Sequence, residues 1–292
     1  MDALQLWGLD VIRAIQQVHG PALDNFFRVI TFLGTEEFYL VLLPFFMWCI
    51  DFQAGARLTI FLLFSSYLNT DLKDIFQEPR PFQLDPNVKL SEANGYSLPS
   101  GHAQSAVVVW GGIGVWARRP VVWAIMIGLA ILVGFSRIYL GVHFPTDVLA
   151  GWAIGAGLLG IFLVTLHKIQ SKITELNLVM QLLLAFAVPI ALVLIHPTKD
   201  TTAAMATLSG IAVGLELAAR YVSFNVQGLW WQRLLRYVIG VLIVFGLFFG
   251  LRAVFPAESE TFYMALRFFL YWVVGLWVSL GGPWAFRLLR LA

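Results

Sequence analysis

Charge is what this sequence has least of. Only 12% of its 292 residues are Asp, Glu, Lys or Arg, about half the share of a soluble domain. A water-soluble surface for a chain of this length is thereby excluded. Cysteine is nearly absent as well. Cys49 stands alone, so no intrachain disulfide can form and the thiol reads as an apolar filler. The formal net charge is only +2, too small to argue for nucleic acid, and no nucleic-acid partner is expected. No repeat, low-complexity tract or long polar linker interrupts the chain. The opening residues Met1 to Trp7 lack a basic leader followed by a compact apolar stretch, so no cleaved signal peptide is expected.

Apolar residues fill the space that charge leaves. Hydrophobic side chains make up 59% of the chain, and the mean hydropathy is +0.80. A helix needs roughly 17 to 25 apolar residues to cross the hydrocarbon of a bilayer. Runs of that kind lie near 34–50, 55–72, 102–117, 120–140, 147–166, 178–196, 202–220, 237–255 and 262–283. The expected fold is therefore an all-α integral membrane protein, a helical bundle of about nine transmembrane spans. Before the first span, Leu4 to Leu33 sets Asp10, Arg13, Gln16, Gln17 and Asp24 at helical spacing among apolar residues. Residues 1–33 thus read as amphipathic helices lying in the membrane interface.

Basic residues in short loops orient the bundle. Arg118 and Arg119, then His167, Lys168 and Lys172, then Arg220, Arg233 and Arg236, then Arg287 and Arg290 all fall on one side, the cytoplasmic one by the positive-inside rule. The segment 73–101, the residues around His143, the loop His196 to Asp200 and the acidic turn Pro256 to Glu260 fall on the other.

Three polar segments on that outer side carry chemistry. Lys73 and Arg80, followed by Pro81, are seven residues apart at the mouth of the second expected span. On a continuous helix they would share a face about 10 Å apart and converge on one anion. Pro99-Ser100-Gly101-His102 opens the third, and a helix start there points free N–H groups and a positive dipole end at one place. In the third segment, Ser136 and Arg137 precede His143, and Asp147 follows it by four residues. If a helix begins near Pro145, Asp147 accepts a hydrogen bond from the His143 ring and leaves the other nitrogen free to attack. Arg137 adds a two-pronged donor suited to phosphate oxygens. Cations, a helix N-terminus, two histidines and an orienting carboxylate make an inventory for phosphoryl transfer. Charged groups at membrane depth are costly, which argues against a decorative role for them.

The spacing Lys73-x6-Arg80-Pro81, Pro99-Ser100-Gly101-His102 and Ser136-Arg137-x5-His143-x3-Asp147 resembles the three-part signature of the type 2 phosphatidic acid phosphatase superfamily. That superfamily includes bacterial undecaprenyl-pyrophosphate and phosphatidylglycerophosphate phosphatases, glucose-6-phosphatase and the vanadium haloperoxidases. The resemblance covers about residues 20–168. It implies that His143 is the nucleophile and becomes a phosphohistidine, that Asp147 holds it, and that His102 is the general acid and then the base. It implies a phosphate cradle of Lys73, Arg80, Ser100, Gly101, Ser136 and Arg137, with no metal and no cofactor. The lack of a carboxylate cluster on the outer side agrees.

A phosphorylated lipid or polyprenyl substrate follows, hydrolysed as a phosphate or diphosphate monoester at the outer membrane face. A phosphotransferase using the same histidine, and a lipid carrier that binds without reacting, are the alternatives. A carrier has no need of a histidine oriented by a carboxylate. Short loops and no eukaryotic-looking sorting signal point to a bacterial inner membrane with the site facing the periplasm or exterior.

The chain divides on this reading into 1–33, a catalytic membrane core at 34–168, and a C-terminal extension of about four spans at 169–292. That extension offers a packing partner, a homo-oligomer surface or a lateral wall for lipid access. Glu216 and Arg220, one helical turn apart, are expected to pair. Residues 82–98 read equally as a lid or as a plain surface loop. His19, His167 and His196 have no motif partners and read as loop or interface residues.

Overall fold

The computed structural model describes residues 2–252 and 262–292. The acidic turn Pro256 to Glu260 lies outside them. Among the described residues the chain is helical without strands: α1 (Ala3–Gln16), α2 (Pro21–Phe32), α3 (Glu36–Phe45), α4 (Phe52–Phe76), α5 (Pro81–Leu84), α6 (Gly101–Ala117), α7 (Pro120–Tyr139), α8 (Pro145–Glu175), α9 (Leu178–Ile195), α10 (Lys199–Tyr221), α11 (Trp230–Arg252), α12 (Tyr263–Leu276) and α13 (Gly282–Leu288).

Local chemistry sets the ends. Asp2 accepts the Gln5 backbone N–H at 2.8 Å while the Gln5 side chain accepts that of Asp2 at 3.1 Å, a reciprocal cap that starts α1. Proline occupies the first position of α2, α7 and α8, where its missing N–H costs nothing. Arg118, with φ of 53°, turns the chain left-handed and ends α6.

Among the described residues, six helical segments are long and apolar enough to cross a membrane: α7, α8, α9, α10, α11 and the run from Tyr263 to Leu288. The remaining three of the nine expected spans differ for identifiable reasons. The run at 34–50 pairs with α2 across a bend of 52° and would make a seventh, broken span. At 55–72 the helix continues to Phe76 and carries Arg57, Asp71, Lys73 and Asp74, too polar for a simple span. At 102–117 the helix is only 17 residues long.

The chain forms two compact units, Met1–Tyr39 with Leu68–Val164, and Leu40–Tyr67 with Thr165–Ala292. In the first, α6 packs on α7, and α1 and α2 also pack on α7. Leu9 and Ile12 of α1 are buried with Val88, Ile138, Phe144 and Val148, each side chain contributing about 1.5–3 kcal/mol. Phe27 of α2 joins Tyr139, Leu140 and Val142. The amphipathic segment therefore buries one stripe on the residues that flank His143. Its other apolar residues, Leu4, Trp7, Phe26 and Val29, stay exposed, as an interfacial helix requires.

Gly141 shows how closely these parts fit. Its φ is 69°, and a Cβ there would collide with the Val88 carbonyl oxygen. Gly141→Ala meets both a left-handed backbone and that collision, so we expect a loss of about 2 kcal/mol or more, read as a lower thermal midpoint in detergent. Gly157→Ala, with nothing within 4 Å of the added methyl group, is the neutral comparison.

In the second unit α10 packs on α9 and α12. Gly210 lies against the Trp272 backbone and Gly275 against that of Thr207, the small-residue contact by which membrane helices approach. Trp48 is fully buried and donates to the Val278 carbonyl at 2.9 Å. Arg236 is also fully buried, its charge met by the carbonyls of Trp48, Asn225, Val226 and Gln227. Arg220 donates to Gln181 Oε1 at 3.1 Å. No Arg220–Glu216 ion pair forms among the described residues.

Candidate active site

His143 lies in the short link between α7 and α8, and Asp147 in the first turn of α8. Both are buried, with 1% and 2% of their surface exposed. Nδ1 of His143 is 3.4 Å from Oδ2 of Asp147. That oxygen also accepts the Phe144 backbone N–H at 2.8 Å and the Ser97 hydroxyl at 2.5 Å. On the other edge of the ring, Nη1 of Arg80 stands 3.2 Å from Nε2. A guanidinium can only donate, so Nε2 accepts and the ring proton sits on Nδ1, toward Asp147. The lone pair of Nε2 thus faces the cations. Burial first, then the charges of Arg80, Arg137, Lys73 and His102, hold His143 well below the usual 6.5, so the ring is neutral at pH 7.

Arg80 is fixed by three carbonyls, Nε to Gly95 at 2.9 Å, Nη1 to Val142 at 2.9 Å and Nη2 to Asn94 at 2.6 Å. Burial pulls its pKa down to about 10 against the pull of Asp147, which still leaves a cation at neutral pH. Lys73 and Arg80 do not share a helical face. The helix ends at Phe76, Gln77 takes a φ of 51°, and Arg80 stands in extended backbone before α5. Lys73 remains in the last turn of α4, near enough for its charge to act on His143.

Arg137 is 5% exposed. Its Nη1 donates to Thr31 Oγ1 at 2.8 Å, and its Nε is buried without a partner among the described residues. Ser100 stands before α6 with a fully buried hydroxyl, likewise without a partner among the described residues, and it does not cap the helix. The Ser100 side chain therefore leaves the first-turn N–H groups of α6 uncapped. The backbone N–H of Ser100 itself is committed to the Asp147 carbonyl at 3.0 Å. Gly101 fits closely against Asn69, whose Oδ1 would be 2.9 Å from an added Cβ. His102, half-buried in the same turn, packs against Gly34. Ser136 points elsewhere: its hydroxyl donates to the Val133 carbonyl at 2.6 Å, and reaching a phosphate would take a different rotamer.

Sequence spacing gave no sign of several residues that build this site. Ser97 bonds Asp147 and lies 3.3 Å from His143 Nδ1. Thr31 holds Arg137. Gln16 donates to the carbonyls of Val88 at 2.9 Å and Tyr139 at 2.7 Å, tying α1 to the segments on either side of the site. Asn69 and Gln104 pair at 2.8 Å beneath Gly101. The segment 82–98 is pinned along its length, by buried Val88, by the Leu90 N–H on the Leu140 carbonyl at 3.1 Å, and by Asn94, Gly95 and Ser97. It forms a wall of the site. Among the described residues, no group of three or more His, Cys, Asp or Glu side chains is placed to hold a metal ion.

Fold and site together define an integral membrane protein with a buried cationic pocket around a histidine–aspartate pair. The PAP2 superfamily profile matches residues 54–171, and that of the PAP2 superfamily phosphatase transmembrane extension matches residues 202–292. The chain carries a PAP2 superfamily domain followed by a PAP2 phosphatase transmembrane extension. It is 28% identical to lipid phosphate phosphatase delta of Arabidopsis thaliana, over 72% of this chain and 56% of that protein. It is 36% identical to sphingosine-1-phosphate phosphatase 1 of Rattus norvegicus, over 45% of this chain and 32% of that one. The chain thus spans little more than half of the plant protein and a third of the rat one. The crystal structure of the PAP2 type phosphatidylglycerolphosphate phosphatase from Bacillus subtilis superposes with a TM-score of 0.52 at 28% identity, over 58% of this chain and 89% of that one.

Proposed function

We propose that this chain is a membrane phosphatase that removes the terminal phosphoryl group of a lipid phosphate or diphosphate through a phosphohistidine at His143. One observation carries the reading: a buried neutral histidine presents the Nε2 lone pair to fixed cations while Asp147 backs its Nδ1 proton. The names of the relatives, for lipid phosphate and sphingosine 1-phosphate, support a lipid substrate. In the first step Nε2 attacks phosphorus, the P–O bond to the leaving group breaks, and His102 gives that oxygen a proton. In the second, water attacks phosphorus, His102 takes its proton, the N–P bond breaks and inorganic phosphate leaves. Lys73, Arg80, Arg137, the Ser100 hydroxyl and the first turn of α6 stabilise the charge on the equatorial oxygens, and the scheme routes no step through a metal. The basic residues at the far ends of the helices support a site facing away from the cytoplasm, periplasmic in a bacterial inner membrane.

The test is phosphate release by purified protein in detergent, without added metal, from diacylglycerol phosphate, sphingosine 1-phosphate, phosphatidylglycerophosphate, undecaprenyl diphosphate and glucose 6-phosphate. Release from glucose 6-phosphate but no lipid, or from none, would overturn the reading. The pH profile is a second check. His143 must be neutral to attack and its pKa is depressed, so the acid limb that His143 sets in kcat/KM is expected below pH 6.5. The same depression means that the unfolded chain binds the extra proton first, so His143 lowers stability as pH falls below 6.5.

A further inference from the structure

Ser97 is fully buried, five residues before His102 and fifty before Asp147. Its backbone N–H donates to the Glu78 carbonyl at 2.9 Å, which fixes where the side chain starts. The hydroxyl stands between the two partners of the catalytic pair, 2.5 Å from Asp147 Oδ2 and 3.3 Å from His143 Nδ1. A carboxylate can only accept, so the Ser97 proton goes to Asp147. Oγ is then left as an acceptor beside the Nδ1–H, which has Asp147 Oδ2 as its other acceptor at 3.4 Å. The three groups close a triangle in which each short side depends on Ser97.

We propose that Ser97 is a positioning residue for the reaction at His143, holding the Asp147 carboxylate and the Nδ1–H tautomer in register with each other. This rests on the phosphohistidine reading. Ser97 reaches the site on the same strip of chain whose Asn94 and Gly95 carbonyls fix Arg80. The 94–97 strip therefore sets both edges of the imidazole: Arg80 at Nε2 through its carbonyls, and Asp147 at Nδ1 through its one hydroxyl. Removing the hydroxyl takes the shortest donor from Asp147 Oδ2. The carboxylate is then freer to stabilise a protonated ring, and His143 becomes more basic. The other charged groups that bear on the ring are Arg80 ahead of α5, Arg137 at the end of α7, Lys73 on α4 and His102 on α6, with Glu78 acting on Asp147. None of them is altered by the substitution.

The experiment compares wild type with Ser97→Ala, Ser97→Thr and Ser97→Cys. The first readout is kcat and KM against pH on the lipid phosphate that the wild type hydrolyses best. The second, independent of turnover, is the titration of His143 by 15N NMR of histidine-labelled protein, its signals identified by their loss in His143→Ala. Ser97→Ala is expected to lower kcat about 10- to 100-fold with KM unchanged, the usual cost of losing a group that orients a reacting one. Its His143 titration and acid limb should both move to higher pH, and Ser97→Thr should restore both. Ser97→Cys keeps the volume with a weak donor, and an intermediate shift is expected even where the alanine variant fails to fold. An unmoved titration in a folded Ser97→Ala or Ser97→Cys protein would overturn the proposal, as would a raised KM with unchanged kcat. If the wild type released no phosphate, the hydrolase reading would fall while the titration still decided the role of Ser97.

Discussion

His143→Ala is expected to lower kcat for phosphate release at least about a thousandfold, since removing the nucleophile of a hydrolytic site costs up to ~10⁶ in kcat. No other described group can take its place. Asp147 is screened by the ring itself and by its bonds to Ser97 and Phe144, and His102 lies in the first turn of α6 on a separate element. The cations Lys73, Arg80 and Arg137 remain in the variant, so lipid phosphate should still bind while turnover vanishes. Brief mixing with 32P-labelled lipid, quenched in base to preserve an acid-labile N–P bond, should label the wild type and leave the variant unlabelled. Residual turnover within tenfold of wild type (about 1.4 kcal/mol) would remove His143 from the nucleophile's role.

Arg80→Ala should have the second-largest effect. One side chain contacts the Nε2 edge of His143 and holds the carbonyls of Asn94, Gly95 and Val142. Losing a donor aimed at developing charge costs about 10²–10³ in kcat. Each buried carbonyl left without its partner adds about 1–3 kcal/mol of instability, so kcat/KM and the thermal midpoint should fall together. Arg80→Lys tests whether shape or charge matters. An ammonium on a flexible stem cannot reach three carbonyls and the ring at once, so lysine should recover little of either quantity. Full recovery would show that Arg80 acts only as a point charge.

Some of the site could be read before any fold was known. His102, His143, Asp147, Lys73, Arg80 and Arg137 stand out because ionisable groups are rare in so apolar a chain, and their spacings place them at helix ends. The residues that hold them could not be read. Ser97 reaches Asp147 across 50 residues, Thr31 reaches Arg137 across 106, and Gln16 reaches the Tyr139 carbonyl across 123. A small polar residue in a loop or an amphipathic helix looks the same whether it faces water or a buried guanidinium.

The spans divide in the same way. Long apolar runs made α7 through α12 legible, because crossing hydrocarbon demands a length and a composition that sequence records directly. The bend between α2 and α3 and the break after Phe76 have no counterpart in the pattern of apolar runs. Nor does the assignment of Leu40–Tyr67 to the second compact unit. Hydropathy and ionisable spacing are properties of the linear chain, and they sufficed for a helical membrane protein with a candidate histidine–aspartate site at the ends of its helices. Which nitrogen of His143 carries the proton, what fixes Arg80, and the place of Ser97 between His143 and Asp147 came from the fold. Those depend on atoms within about 3.5 Å of one another, and proximity at that scale is set by packing.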